Sequence, residues 1–523
     1  MSQPTSPLRT AIRGLLGLVG VVCLGVGSPA ALSAQQQMEV GTCRVLPGTR
    51  NAVGRTVGGA RVIYLSRPRL ACDGGIRIDA DSMVTFEATG FNQLIGNVFF
   101  EDQTRRLISA NARYFDQVGR LEADGDVSLT DKDSGNVVEG QNLLYLRAGY
   151  GRDQEELTVW GGRTHALLYP GSQEEAPDSA APARRPYDVT ANRIFLRGQA
   201  YVQASGEVEV LRDSLNAFAD TLRYDQERER LLLDVDALVD QDAYDLSGNQ
   251  ILLVLPGDTI RQVEARGDGH LLGEELDLEA PFIRLGFTAG ALNGLWASPL
   301  HPGQELEMTS GFRTLPAVLD SADTRRPEAR STDFHIVADS LEVDAPEEKL
   351  QELFAVGSAR AVSTARDSLN TPETPEIIRR DWMEGDTVVA FFDEAESSGS
   401  DSTTYVLRQL EARGTAASLY RMEPDSAAAE EAEPDTVAGV TEEEPPGVDP
   451  EQAAEPEAGE EETMVLTRGL EPAVHYVTAE VIVIFFLDGQ VDRMEVRGLK
   501  QGIHLDPTGR TRGIVAQGDG GGP

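Results

Sequence analysis

The chain has 523 residues, with 86 Asp and Glu against 46 Lys and Arg, a formal charge of −40 and a pI near 4.5. Those figures exclude nucleic acid as a natural partner, because phosphates are neutralised by Lys and Arg and acid here outnumbers base almost two to one. The length allows roughly two to four domains or one long repeat array, and a hydrophobic content of 40% suffices for folding if the acid is concentrated somewhere.

In chain order, Arg9 and Arg13 precede an apolar stretch from Leu15 to Val26, then small residues through Ala30, Ala31, Ser33 and Ala34 before Gln35 opens a polar sequence. Residues 1–34 are therefore predicted to be a secretory signal peptide. That stretch is too short to span a bilayer, and no segment of the mature chain reaches the ~18 apolar residues of a membrane helix. Cys23 follows Val22, where a lipoprotein signal takes a small residue. Export leaves Cys43 and Cys72, an isolated pair that in an oxidising compartment reads as a disulfide ahead of a metal site or a nucleophile. It would pin the N-terminal start of the fold.

Two short patterns then recur. The first is a small residue, a polar residue and a β-prone run: Ala80-Asp81, Ala110-Asn111, Gly140-Gln141, Ala191-Asn192, Ala219-Asp220, Gly248-Asn249, Ala338-Asp339 and Ala479-Glu480. Starts at 80, 110 and 140 are 30 residues apart, and those at 191, 219 and 248 are 28 and 29 apart. The second runs from an apolar residue to a glycine, as in Leu121-Glu122-Ala123-Asp124-Gly125, Val202-Gln203-Ala204-Ser205-Gly206 and Leu353-Phe354-Ala355-Val356-Gly357. It follows the first by 15 residues (110 to 125, 191 to 206) or by 19 (248 to 267, 338 to 357, 479 to 498). Each unit is predicted as two strands joined by a turn. Alternation supports strands: Ile76, Ile78, Ala80, Ser82, Val84, Phe86 and Ala88 on one face, with Arg77, Asp79, Asp81, Thr85 and Glu87 on the other.

The repeats fall into three blocks, 60–169, 187–300 and 333–512, with linkers or long loops at 170–186 and 301–332. Between Glu423 and Glu462 there are 16 acids and no Lys or Arg, so 423–463 is predicted to be a disordered acidic insert in the third block. The Gly-rich residues 513–523 are predicted to be a disordered tail.

Catalytic constellations are scarce. His165, His270, His301, His335, His475 and His504 are scattered with no zinc-protease spacing and are expected to be structural or exposed. There is no Gly-x-Ser-x-Gly elbow and no phosphate-binding glycine loop. The run Asp234, Asp236, Asp240, Asp242 and Asp245 fits the wet side of a strand and a turn better than calcium or a glycosidase pair, and Asp131 with Asp133 fits a hairpin turn. No enzyme, cofactor or metal is expected. What stands out is strand material apolar on both faces, such as Val98-Phe99-Phe100 and Val481-Ile482-Val483-Ile484-Phe485-Phe486-Leu487. Either it fills a closed sandwich core, or it lines a β groove greasy enough for acyl chains. Repetition also leaves unpaired edge strands at the two ends.

The two patterns at fixed distance resemble the OstA-like repeat of the LptA family of lipopolysaccharide-transport proteins and of the N-terminal domain of LptD. The best stretch runs from Ala80 to Leu146, a second copy from Ala191 to Val235, and weaker strands lie around Ala338 and Ala479. The resemblance implies an all-β, open V-shaped jellyroll with acyl chains in its groove. It further implies a periplasmic location, at the inner or the outer membrane, and other jellyroll transport proteins as partners through edge-strand pairing. The chain departs from the family in its length, in the acidic insert and in having no outer-membrane barrel after Arg512. Val84, Phe86, Val98, Phe100, Val202, Val208, Ile484 and Phe486 are the expected lipid contacts. The rivals are a scaffold β-repeat protein of the envelope with a dry core, and a β-solenoid acting on polysaccharide, which lacks a recurring carboxylate pair.

Overall fold

A computed structural model describes residues 39–40, 43–169, 185–241, 244–273, 276–299, 324–331, 334–346, 349–364, 370, 374–395, 404–422, 472–487, 490–505 and 511–514. The predicted signal peptide and acidic insert lie outside the described residues, as does His301. The short strands β1 (Glu39–Val40), β2 (Cys43–Val45), β3 (Asn51–Val57), β4 (Ala60–Ser66), β5 (Arg69–Cys72), β6 (Ile76–Asp79) and β7 (Ser82–Phe86) come first. A run of long antiparallel hairpins follows: β8 (Phe91–Glu101), β9 (Arg105–Phe115), β10 (Arg120–Asp131), β11 (Val137–Leu146), β12 (Glu156–Leu168), β13 (Tyr187–Arg197), β14 (Tyr201–Arg212), β15 (Leu215–Asp225), β16 (Arg230–Gln241), β17 (Tyr244–Val254), β18 (Gln262–Gly273) and β19 (Asp277–Thr288). Next come β20 (Ala291–Ser298), β21 (Glu328–Arg330), β22 (Phe334–Val337) and β23 (Ser340–Asp344). The last are β24 (Glu352–Ser363), β25 (Asp381–Ala395), β26 (Thr404–Met422), β27 (Ala473–Leu487), β28 (Gln490–Arg497), β29 (Gln501–Leu505) and β30 (Thr511–Ile514).

Each long strand is shared between two limbs of one ladder. β8 pairs with β7 through Phe91–Ile95 and with β6 through Phe99–Glu101. At the other end β27 pairs with β28 through its second half and with β29 through its first. The first limb thus runs from β3, β4 and β7 to β28, and the second from β1, β2, β5 and β6 to β30. A disulfide joins Cys43 to Cys72 across β2 and β5, in the opening strands of the second limb.

The crease between the limbs is where the two sequence patterns meet. Every second strand carries a β-bulge there, as between Asp124 and Ser128 of β10 against β9. Gly125 and Gly206 have φ of +79° and +78°, and the residues after them, Asp126 and Glu207, are also left-handed at +46° and +51°. A Cβ on Gly125 would come within 2.7 Å of the Ala110 Cβ, and one on Gly206 within 2.7 Å of the Asn192 amide. Glycine is therefore required by both dihedral and space. The small-polar pair of the first pattern lies directly beneath the glycine of the second.

The extra residue in the bulge reverses the inward phase of the partner strand. β9 buries Leu107 and Ser109 before the crease but Ala112 and Tyr114 after it, and β15 switches from Ala217 and Ala219 to Leu222. The same switch at Asp81 corrects the expected alternation over 76–88. Met83 and Thr85 point inward, while Val84 is half-buried and Phe86 is exposed on the outer face.

The ladder runs through both joins between the sequence blocks. β12 pairs with β13 from Glu156↔Arg197 to Leu168↔Tyr187, with residues 170–184 outside the described residues. At the second join β20 ends at the crease with Ser298 opposite Phe282, and β21 resumes in the other limb opposite Asp277–Glu279 of β19. Among the described residues no helix is long and apolar enough to cross a membrane.

Candidate functional site

The inner faces of the two limbs cover each other and form one apolar interior from Leu70 in β5 to Ile484 in β27. Five expected lipid contacts lie inside it: Val98 and Phe100 are 1% exposed, Val208 2%, Ile484 4% and Val202 5%. Phe486 is partly buried against the same cluster, whereas Val84 and Phe86 are outside it. Aromatic pairs bridge the limbs. Phe100 of the second limb meets Tyr114 of the first at 5.7 Å between ring centroids, and Tyr187 meets Tyr224 at 6.0 Å. Tyr244 with Phe287 and Phe334 with Phe392, each at 6.3 Å, repeat the arrangement further along.

Opposite the crease lies the mouth, where the hairpin turns of the two limbs face each other. Among the described residues, charged side chains clasp it at two places. In the first, Arg105 of the second limb donates to Glu155, immediately before β12 in the first limb, at 2.5 Å and lies 3.5 Å from Asp131. Its guanidinium also sits 5.0 Å from the Tyr145 ring centroid. Arg147 beside it is 3.8 Å from Asp102 across the mouth. In the second clasp, Arg212 at the end of β14 binds both oxygens of Asp258, in the turn between β17 and β18, at 2.7 and 2.5 Å. The Tyr187 hydroxyl donates to Asp258 at 2.8 Å, and Arg212 stacks 4.3 Å from the Tyr187 ring centroid. Bidentate, desolvated geometry of this kind makes strong charge-assisted bonds.

Burial sets the ionisation of the phenols. It pushes the hydroxyls of Tyr145, Tyr187 and Tyr244 far above the ordinary phenol range, and that of Tyr224 up to about 12. They remain neutral across the physiological range. Burial opposes the charge of Arg212, yet the Asp258 carboxylate more than compensates and holds its pKa raised.

The clasp residues carry no sequence signal, because Arg212 and Asp258 are 46 residues apart and neither belongs to a recurring pattern. Asp131 behaves as a turn residue, its carboxylate accepting from the backbone N–H groups of Asp133 and Ser134 at 3.0 and 2.9 Å. On the outer face of the second limb, His270, Asp277 and Glu279 bring ligand atoms within 4.8 Å of one another. His270 Nε2 is already 2.8 Å from Asp277, and Arg330 donates to Glu279 at 3.2 Å.

The chain is an all-β, jellyroll-like protein, folded along a crease with an apolar interior and a charged mouth. No protein-family model and no curated protein matches it. Among solved structures it is similar to LptH of Pseudomonas aeruginosa, described as the LptA homologous periplasmic component of the conserved lipopolysaccharide transport device. The two are 18% identical over 32% of this chain and 83% of that chain, with a TM-score of 0.17.

Proposed function

We propose that the chain is a periplasmic, non-enzymatic lipid-binding protein that takes part in moving lipopolysaccharide, or a similar glycolipid, towards the outer membrane. The observation that carries this reading is the apolar interior, unbroken from β5 to β27 and flanked along its length by a mouth. The OstA-like sequence repeat supports it. Acyl chains entering between the limbs gain roughly 25 cal/mol for each Å2 of apolar surface removed from water. The limbs part at the mouth and the crease acts as the hinge. An excess of acid on the chain means that an anionic glycolipid is held by its apolar part or through divalent cations. The terminal strands β3 and β28, each paired on one side only among the described residues, are the edges at which other β-jellyroll proteins add.

The test is mass spectrometry of lipid copurified with the mature protein, followed by uptake of labelled lipopolysaccharide. Bound glycolipid is the expected result; protein that is lipid-free and takes up no label removes the reading. A second reading, a scaffold with a dry core, is favoured by the closure of the interior, in which Val98, Phe100, Val202, Val208 and Ile484 are at most 5% exposed. It predicts the lipid-free outcome together with an unchanged melting temperature when glycolipid is added.

A further inference from the structure

Five histidines fall among the described residues, and three of them lie against carboxylates. His165 is 2.8 Å from Asp188, His270 is 2.8 Å from Asp277 and His335 is 2.6 Å from Glu328. His475 and His504 instead face each other. They are directly opposed on β27 and β29, with ring centroids 4.2 Å apart and planes inclined by 46°. Their side of the sheet is the inner one, shared with Val477 and Ala479.

Both rings carry a nitrogen shut off from solvent that has no hydrogen-bond partner among the described residues, Nε2 of His475 and Nδ1 of His504. Ser418 on β26, opposite Val477 and therefore one diagonal step from His475 on the same face, is 1% exposed and its Oγ is also unpartnered. Unsatisfied buried polar atoms are costly, and three in one corner of an apolar interior call for a ligand.

We propose that His475 and His504 form a binding site for a transition-metal dication of the zinc type, bridging β27 and β29. Imidazole nitrogen suits zinc, and two further ligands, the Ser418 hydroxyl and a water carried in with the ion, complete a tetrahedron. β29 is joined to β27 over Val474–Thr478 alone, so the ion clips the last two strands of the second limb to the ladder. The cluster at His270 is the weaker candidate because its donors are already engaged by one another and by Arg330.

The experiment is calorimetric titration of the EDTA-treated mature protein with Zn2+, together with the visible spectrum of the Co2+ form. Expected are about one equivalent bound, tetrahedral Co2+ bands and a melting temperature raised by about 2 °C or more at saturation. His475→Gln and His504→Gln should each weaken binding by at least about tenfold, and His270→Gln should leave it unchanged. Absence of binding, binding that survives both substitutions, or binding lost in His270→Gln overturns the proposal. Circular dichroism of the metal-free variants controls for folding. If either variant misfolds, the Co2+ spectrum of the unaltered protein decides, and a purely octahedral spectrum counts against the site.

Discussion

At the crease the two limbs are joined by backbone: glycine with positive φ passes over the small-polar pair of the neighbouring strand, and the arrangement recurs along the ladder. At the mouth they are joined by individual long side chains, Arg105 with Glu155, Arg147 with Asp102 and Arg212 with Asp258. The crease is therefore built by local sequence and repeats with it, whereas the mouth depends on individual pairs that bring together distant turns. A hinge that cannot be altered without strain and a closure held by separable charges are the two parts a structure needs if it is to open on one side.

Substitutions can separate the two. The largest effect is expected at the mouth in Arg105→Ala, which strands Asp131 and Glu155 in a poorly solvated place. Loss of one partner of a buried pair costs about 3 kcal/mol, read as a lower urea midpoint with the disulfide intact. Gly125→Val at the crease should cost about 2–3 kcal/mol, from left-handed strain and the clash with Ala110. If Gly125→Val is neutral, the crease does not have the geometry described. The smallest effect has the opposite sign. β16 alone among the bulged long strands β8 to β18 places a β-branched residue at this point, Val235 at φ +67° and half exposed to solvent. Val235→Gly should raise stability by about 1 kcal/mol, and a loss of stability there would show that the valine side chain contributes more than its backbone costs.

Much of this was legible in the sequence, for physical reasons that particular residues make plain. A period of two and a repeat near 30 residues follow from antiparallel hairpins of uniform length, and the isolated Cys43 and Cys72 had few partners to choose from. The role of Gly125 was not legible, because a glycine after an alternating run marks a turn as readily as a bulge inside a strand. Its consequence, the reversal of phase in the neighbouring strand, is why Phe86 was expected inside and lies outside, while Phe100, on a strand that keeps its phase, lies within. The clasp between Arg212 and Asp258 and the His475–His504 pair depend on register and on the folding of one limb over the other, neither of which is written in local sequence.

The continuity of the ladder across its joins also bears on how the chain folds. From β8 to β19 each strand is hydrogen-bonded to the strands immediately before and after it, so most pairing is between sequence neighbours and contact order is low for an all-β protein. Such an array behaves as a one-dimensional chain of coupled units, in which a completed hairpin is a template for the next and structure spreads by addition at a growing end. The clasps, which reach across 46 and 50 residues, can form only after several hairpins have been laid down, and so report that a whole segment of the array is in register.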